Sequence, residues 1–143
     1  MPSDNKTLVT RFFEDMCNGR KMEVADQIFS SNHVYHDPQS PVGPGPEGMK
    51  QLIGTYHKGF SDAHWTVDAT HLAGDDLVVS RWTGSGTHSG DLLGIPPTGK
   101  KVKVPGIWIH RISGGKIVES WNCWDTLGML QQIGVVPAMS GKS

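Results

Sequence analysis

The sequence predicts an α+β domain, with helices gathered on one face of a mostly antiparallel sheet. Two observations carry this. Apolar residues recur at helical spacing as far as Phe60, and after Ser61 the period changes from 3.6 to 2. The helical patterns come first, the long strands follow, and one short helix closes the chain, an order that segregates helices from strands. The 143 residues are enough for one domain with a proper core and not for two. We find no internal repeat or linker, so residues 1–143 are read as a single domain whose last residues, 136–143, form a loose tail.

The first helix has Ser3 and Asp4 as N-cap candidates. Leu8, Phe12, Phe13, Met16 and Cys17 then share a face until Gly19 ends the pattern. A shorter helix fits Lys21 to Phe29, with Met22, Ala25, Ile28 and Phe29 inward. His33 to His36 is a brief extended segment closed by Asp37-Pro38, followed by a loop rich in Pro and Gly. A third helix opens near Pro46 and Glu47, both suited to a first turn, and runs through Met49, Leu52, Ile53, Tyr56 and Phe60.

Trp65, Val67, Ala69 and His71 share strand parity up to a turn at Gly74-Asp75. Leu77 to His88 is the next strand and Val102 to Ile112 another. Ser113-Gly114-Gly115 is a hairpin turn into Lys116 to Trp124. A last helix, Thr126 to Ile133, stops at Gly134.

Composition narrows the function. Charged residues make up 19% and the net charge is -1, which argues against a nucleic-acid or anionic-membrane binder. Lys100, Lys101 and Lys103 read as a solvated loop leading into a strand. Cys17 and Cys123 are too few for a disulfide framework and have no metal-ligand or CxxC spacing. They read as reduced thiols in a cytoplasmic protein. No basic region precedes an apolar run at the start, and no apolar stretch approaches the roughly 20 residues that span a bilayer. Gly43-Pro44-Gly45-Pro46-Glu47-Gly48 fits GxGxxG by letter, but its prolines remove N–H groups a phosphate cradle would need, and no βαβ unit surrounds it. No GxSxG elbow supports a hydrolase triad.

Several segments carry a family resemblance. They are His36-Asp37-Pro38, Gly45 to Gly48 opening a helix, GTHSGDLLGIPPTGK from Gly86 to Lys100, RISGGKIVESW from Arg111 to Trp121, and LQQIG from Leu130 to Gly134. Together they resemble the SnoaL-like polyketide cyclases of the NTF2-like superfamily, over roughly Lys6 to Gly134. The GIPPTGK loop and the GGKIVESW hairpin are the specific parts. The resemblance implies a cone-shaped α+β barrel, a curved sheet wrapped onto the helices around a deep apolar cavity. It implies a hydrophobic small-molecule substrate and ring closure by intramolecular aldol condensation, with no metal and no organic cofactor. It also implies an aspartate on the last strand as general acid/base. This sequence has Asn122 at that position, and Trp108 where such enzymes often carry a pocket His. The outer face of such a sheet commonly pairs, which implies a homodimer.

Asn122 cannot abstract a proton at neutral pH, so other groups come into question. Asp125 is the nearest carboxylate. It either replaces the missing base, its pKa raised by neighbouring tryptophans, or caps the helix that begins at Thr126. Asn122 either donates a hydrogen bond to an enolate or carbonyl oxygen or bonds to backbone. His110 shares a strand face with Trp108 and Ile112 and could move protons. His36 pairs by parity with Val34 and could point into the cone. A metal held by His33, His36 and Asp37 is disfavoured, because residues 33 and 36 of an extended segment face opposite sides.

On the substrate side, Trp108, Trp124 and Tyr56 supply cavity wall. His88 would sit at the mouth or shape its loop, and Arg81 would clamp an oxyanion or lie on the surface. Two other functions stay open. One is a non-catalytic binder with the same cone. The other is a related isomerase, or a cofactor-free hydroxylase or epoxide-opening enzyme whose water-activating carboxylate would be Asp125 or Asp37.

Overall fold

The computed structural model describes residues 2–137. Of the expected loose tail, 136–143, residues 138–143 lie outside the described residues. Val136 is tied down: its amide, like that of Val135 before it, donates to the Leu130 carbonyl, at 3.3 and 3.1 Å respectively.

Helix α1 (Pro2–Arg11) runs into a π-helical segment, Phe12–Asn18. Ser3 and Asp4 therefore lie inside the first turns of α1 and not before it. The widened turn ends where the Gly19 amide donates to the Glu14 carbonyl, five residues back, at 2.8 Å. Phe12, Phe13, Met16 and Cys17 are fully buried on its inner side, as their spacing predicts. Helix α2 (Val24–Ile28) is shorter than expected, because Phe29 already has extended backbone and opens β1 (Phe29–His36). Helix α3 (Gly45–Gly59) starts with Pro46 in its first turn and buries Met49, Leu52 and Ile53.

Four long strands follow: β2 (His64–Ala73), β3 (Leu77–Thr87), β4 (Lys101–Ser113) and β5 (Lys116–Trp124). Helix α4 (Thr126–Gln132) comes last. The sheet order is β1-β5-β4-β3-β2. Three pairings are antiparallel, and β1 lies parallel to β5. This is the predicted α+β arrangement, a five-stranded sheet against N-terminal helices.

Local sequence explains the sheet's details. Gly114 and Gly115 have φ of 60° and 75°, the left-handed values a two-residue hairpin turn requires. In β2 the register slips between Val67 and Ala69, leaving Asp68 as an extra residue. The bulge reverses the alternation, so Trp65 is buried while His71 is exposed. The single parity expected from Trp65 to His71 therefore does not hold. The Trp82 indole lies along the inner face over Gly84 and Gly106. A Cβ at Gly106 would come within 2.4 Å of the ring, and one at Gly84 within 2.7 Å.

The core lies between the sheet's inner face and the helices. Phe12 packs edge-on against Phe13, Phe29 and Trp108 at 5.0, 5.6 and 5.1 Å. Such large side chains stabilise the fold by about 1.5–3 kcal/mol each through burial alone. Cys17 is buried, Cys123 is exposed, and both are free thiols. Among the described residues, no helix is long and apolar enough to cross a membrane.

Candidate functional site

The inner face of the sheet and the helices do not close completely on each other. They leave a small, mostly apolar cavity that is open to solvent. Helix α3 contributes Leu52, Ile53 and Tyr56. The sheet contributes Trp65, Trp82, Val102, Val104, Trp108, Asn122 and Trp124, and α4 contributes Met129. Gly84 belongs to the wall too, because only a residue without Cβ leaves Trp82 flat against the sheet. His64 and Ser85 mark an exposed rim. No carboxylate lines the cavity among the described residues, and its titratable wall groups are Tyr56 and His64.

Asn122 is a polar residue in this mostly apolar wall, and it is hydrogen-bonded to a buried polar pair behind it. Asn122 Nδ2 donates to the Tyr35 hydroxyl at 3.2 Å, and that hydroxyl donates to Asp37 Oδ2 at 2.8 Å. The other Asp37 oxygen accepts the Gln39 amide at 3.0 Å. Tyr35 and Asp37 are both buried. Burial pushes the Tyr35 phenol far above its ordinary value of 10; Asp37 adds to this and the Asn122 hydrogen bond opposes it. Burial raises the Tyr56 phenol as well, with Asp37 in support and a hydrogen bond with Ser40 opposing. Both phenols are thus proton donors at neutral pH. Tyr56 also meets Trp124 edge-on at 5.5 Å.

Of the residues proposed from sequence, Asn122, Tyr56, Trp108 and Trp124 come together on the cavity wall. The others do not. Asp125 caps α4: its Oδ1 accepts the Gly128 amide at 2.8 Å, and the side chain is exposed outside the cavity. An Asp directly before an apolar helix meets the orphan N–H groups there, which takes it away from the site. His36 lies on the outer face of the sheet. It stacks on Trp121 at 5.2 Å and 18°, and its Nε2 is 2.7 Å from Glu119 Oε2. Its pairing with Val34 is right and the face is wrong, because Val34 is itself 46% exposed.

Arg81 is exposed on the outer face, as strict alternation next to inward-facing Trp82 requires. His88 is buried away from the cavity and organises the loop before β4. Its Nδ1 accepts the Thr98 amide at 3.2 Å and lies 3.0 Å from Thr98 Oγ1. His110 is fully buried behind the wall, so no ligand in the cavity touches it. Burial above all, then the neighbouring His33, lowers its pKa from 6.5 to about 3.

Sequence reading passed over Tyr35 and left Asp37 as a turn residue or water activator. Their signal was present: residues 33, 35 and 37 share parity, and His33, Tyr35 and Asp37 are all buried. His33 Nε2 is 2.8 Å from Ser120 Oγ on β5.

Comparison with known proteins agrees with this geometry. The family model described as SnoaL-like polyketide cyclase matches residues 7–133. The chain is similar to the aklanonic acid methyl ester cyclase DauD of Streptomyces sp. (strain C5), at 28% identity over 131 residues, 89% of this chain and 80% of that protein. The corresponding cyclase DnrD of Streptomyces peucetius is 27% identical over 131 residues, covering 89% and 88%. Among solved structures, TsrD from Streptomyces laurentii superposes with a TM-score of 0.85 at 28% identity, covering 95% of this chain and 98% of that one.

Proposed function

The chain belongs to the SnoaL-like polyketide cyclase family, and on that premise we propose that it is a cofactor-independent acid–base enzyme acting on a hydrophobic, oxygenated small molecule. The reaction would be ring closure by intramolecular aldol condensation, or a related proton transfer beside a carbonyl. The observation that carries this is the apolar cavity with hydrogen-bonding groups, Asn122 and Tyr56, confined to a few places on its wall. Apolar walls exclude water and strengthen each polar contact made inside. A neutral Tyr56 hydroxyl donates to the oxygen on which charge develops. The indoles of Trp108 and Trp124 bind the flat, conjugated body over which an enolate spreads its charge.

Incubation with polyketide-type β-keto esters, followed by chromatography and mass spectrometry, tests the reading. Cyclised product above the uncatalysed background, reduced about tenfold or more in Tyr56→Phe, is the expected result. Product no faster than background across pH 5 to 9 would reject it.

A second reading, a non-catalytic carrier with the same cone, is favoured by one observation: no carboxylate lines the cavity among the described residues. It expects ligand affinity without turnover in every variant.

We also propose that two copies pair through the outer sheet face. Val34 and Ile107 are exposed there, and the Arg111 guanidinium lies 5.7 Å over Trp121 beside Glu119. Light scattering should show a dimer, and Ile107→Glu should give monomer.

A further inference from the structure

Asn122 lines the cavity, and its amide is not free to turn. The reason lies two residues away from it in the hydrogen-bonded chain. A carboxylate accepts hydrogen bonds and donates none, so Asp37 takes the proton of Tyr35, at 2.8 Å. The Tyr35 oxygen has then used its one donor and can only accept. It accepts from Asn122 Nδ2 at 3.2 Å. The direction of the whole chain is set at its buried end. Asn122 lines the cavity, and its amide oxygen is buried without a hydrogen-bond partner among the described residues. Water does not reach that oxygen in the unliganded protein.

We propose that Asp37, acting through Tyr35, is a positioning residue that holds Asn122 with its oxygen reserved for the ligand, and that the site therefore selects a ligand bearing a hydroxyl donor, a phenol or an enol, beside Asn122. This rests on the cavity being the ligand site, as proposed above. A ligand that brings an O–H satisfies a buried acceptor. One that brings only an ether or carbonyl oxygen sets acceptor against acceptor. Discrimination of about tenfold follows from leaving one buried acceptor unmet. The carboxylate is what makes the polarity one-way. In Asp37→Asn the new amide can donate to the Tyr35 oxygen, which frees the Tyr35 proton for Asn122 Oδ1 and lets the Asn122 amide turn round.

The test compares 1-naphthol with 1-methoxynaphthalene, two probes of one shape that differ in the O–H, by calorimetric titration. Wild-type protein should bind the naphthol about tenfold more tightly. In Tyr35→Phe and Asp37→Asn the ratio should fall to about twofold or less, and Asp37→Glu should restore part of it. The side-chain amide resonances of Asn122 should shift in Asp37→Asn before any ligand is added, which a merely structural role would not produce. Equal affinity of the two probes for wild-type protein would overturn the proposal without any variant. So would an unchanged ratio in both Tyr35→Phe and Asp37→Asn. Failure to bind either probe would overturn it together with the cavity reading. Absence of turnover on keto esters, with the tenfold preference intact, would reject the enzyme and leave this inference standing.

Discussion

The imidazole of His110 lies flat against the indole of Trp108, with 5.0 Å between ring centroids and 7° between planes. Trp108 faces the cavity and His110 does not. Phe12 meets both rings edge-on, at 5.1 and 5.2 Å. Neither ring nitrogen of His110 has a hydrogen-bond partner among the described residues. The histidine thus supports the wall as a flat apolar plate, and its cost is two polar atoms left unmet.

That cost should appear as acid sensitivity. Burial first, then the nearby His33, holds His110 at about 3, and burial first, then His36, holds His33 at about 4, with Glu119 opposing. In the unfolded chain both imidazoles take up protons below 6.5. Between there and the folded values the unfolded state binds more protons, so stability falls as pH falls. Each histidine should contribute a slope approaching about 1.4 kcal/mol per pH unit within its window. Urea unfolding midpoints measured from pH 7 to pH 4 check this. A flat profile would mean that neither imidazole is kept neutral by the fold.

Replacing His110 by Phe keeps the stack and removes both unmet nitrogens. The variant is expected to gain about 1 kcal/mol at pH 7 and to lose the His110 share of the acid slope. Thermal unfolding at pH 7 and pH 5 reads both effects. Destabilisation at both pH values would show that the imidazole nitrogens have partners in solution.

Gly106→Ala places a methyl group 2.4 Å from the Trp82 ring. The obstructing atoms belong to a rigid indole between strands, so the ring must tilt into the cavity it lines. A loss of about 2 kcal/mol is expected, with a changed tryptophan emission spectrum and weaker ligand binding. Unchanged melting and emission would mean that Trp82 does not lie over Gly106.

Asp125→Ala should lower stability by about 1 kcal/mol through loss of the cap. Asp125→Asn retains a capping oxygen and should leave both melting and turnover near wild type. A tenfold fall in turnover in Asp125→Asn, at unchanged melting temperature, would return the acid–base role to Asp125.

Local pattern carried most of the fold. The helical stripe of α3 and the alternation of β3 and β4 depend only on neighbours in sequence, and the buried residues Met49, Leu52, Ile53, Trp82 and Trp108 are the ones periodicity selects. The site was less legible. Parity correctly paired His36 with Val34, but which face is inward is decided by the parallel pairing of β1 with β5, and no local pattern encodes that. Tyr35 was hidden for the same reason. Asp125 was ambiguous from sequence because one residue type serves as a base and as a cap. The bulge at Asp68 reversed a strand's faces through a single unpaired residue that its sequence does not mark.

The parallel β1–β5 pairing also bears on how the protein is made. Tyr35 and Asn122 meet across 87 positions of chain, and Tyr35 faces Ser120 in the register. The first strand leaves the ribosome long before the strand it must lie beside. Contacts of such long range are slow to form, and an early strand with both edges unpaired is open to wrong partners while it waits. Closure of the sheet and completion of the Asn122–Tyr35–Asp37 chain are therefore a single late event. A nascent or truncated chain that stops before β5 carries the α3, β2, β3 and β4 parts of the wall but lacks Asn122, Trp124 and Met129, so the polar part of the site should appear only with the last strand.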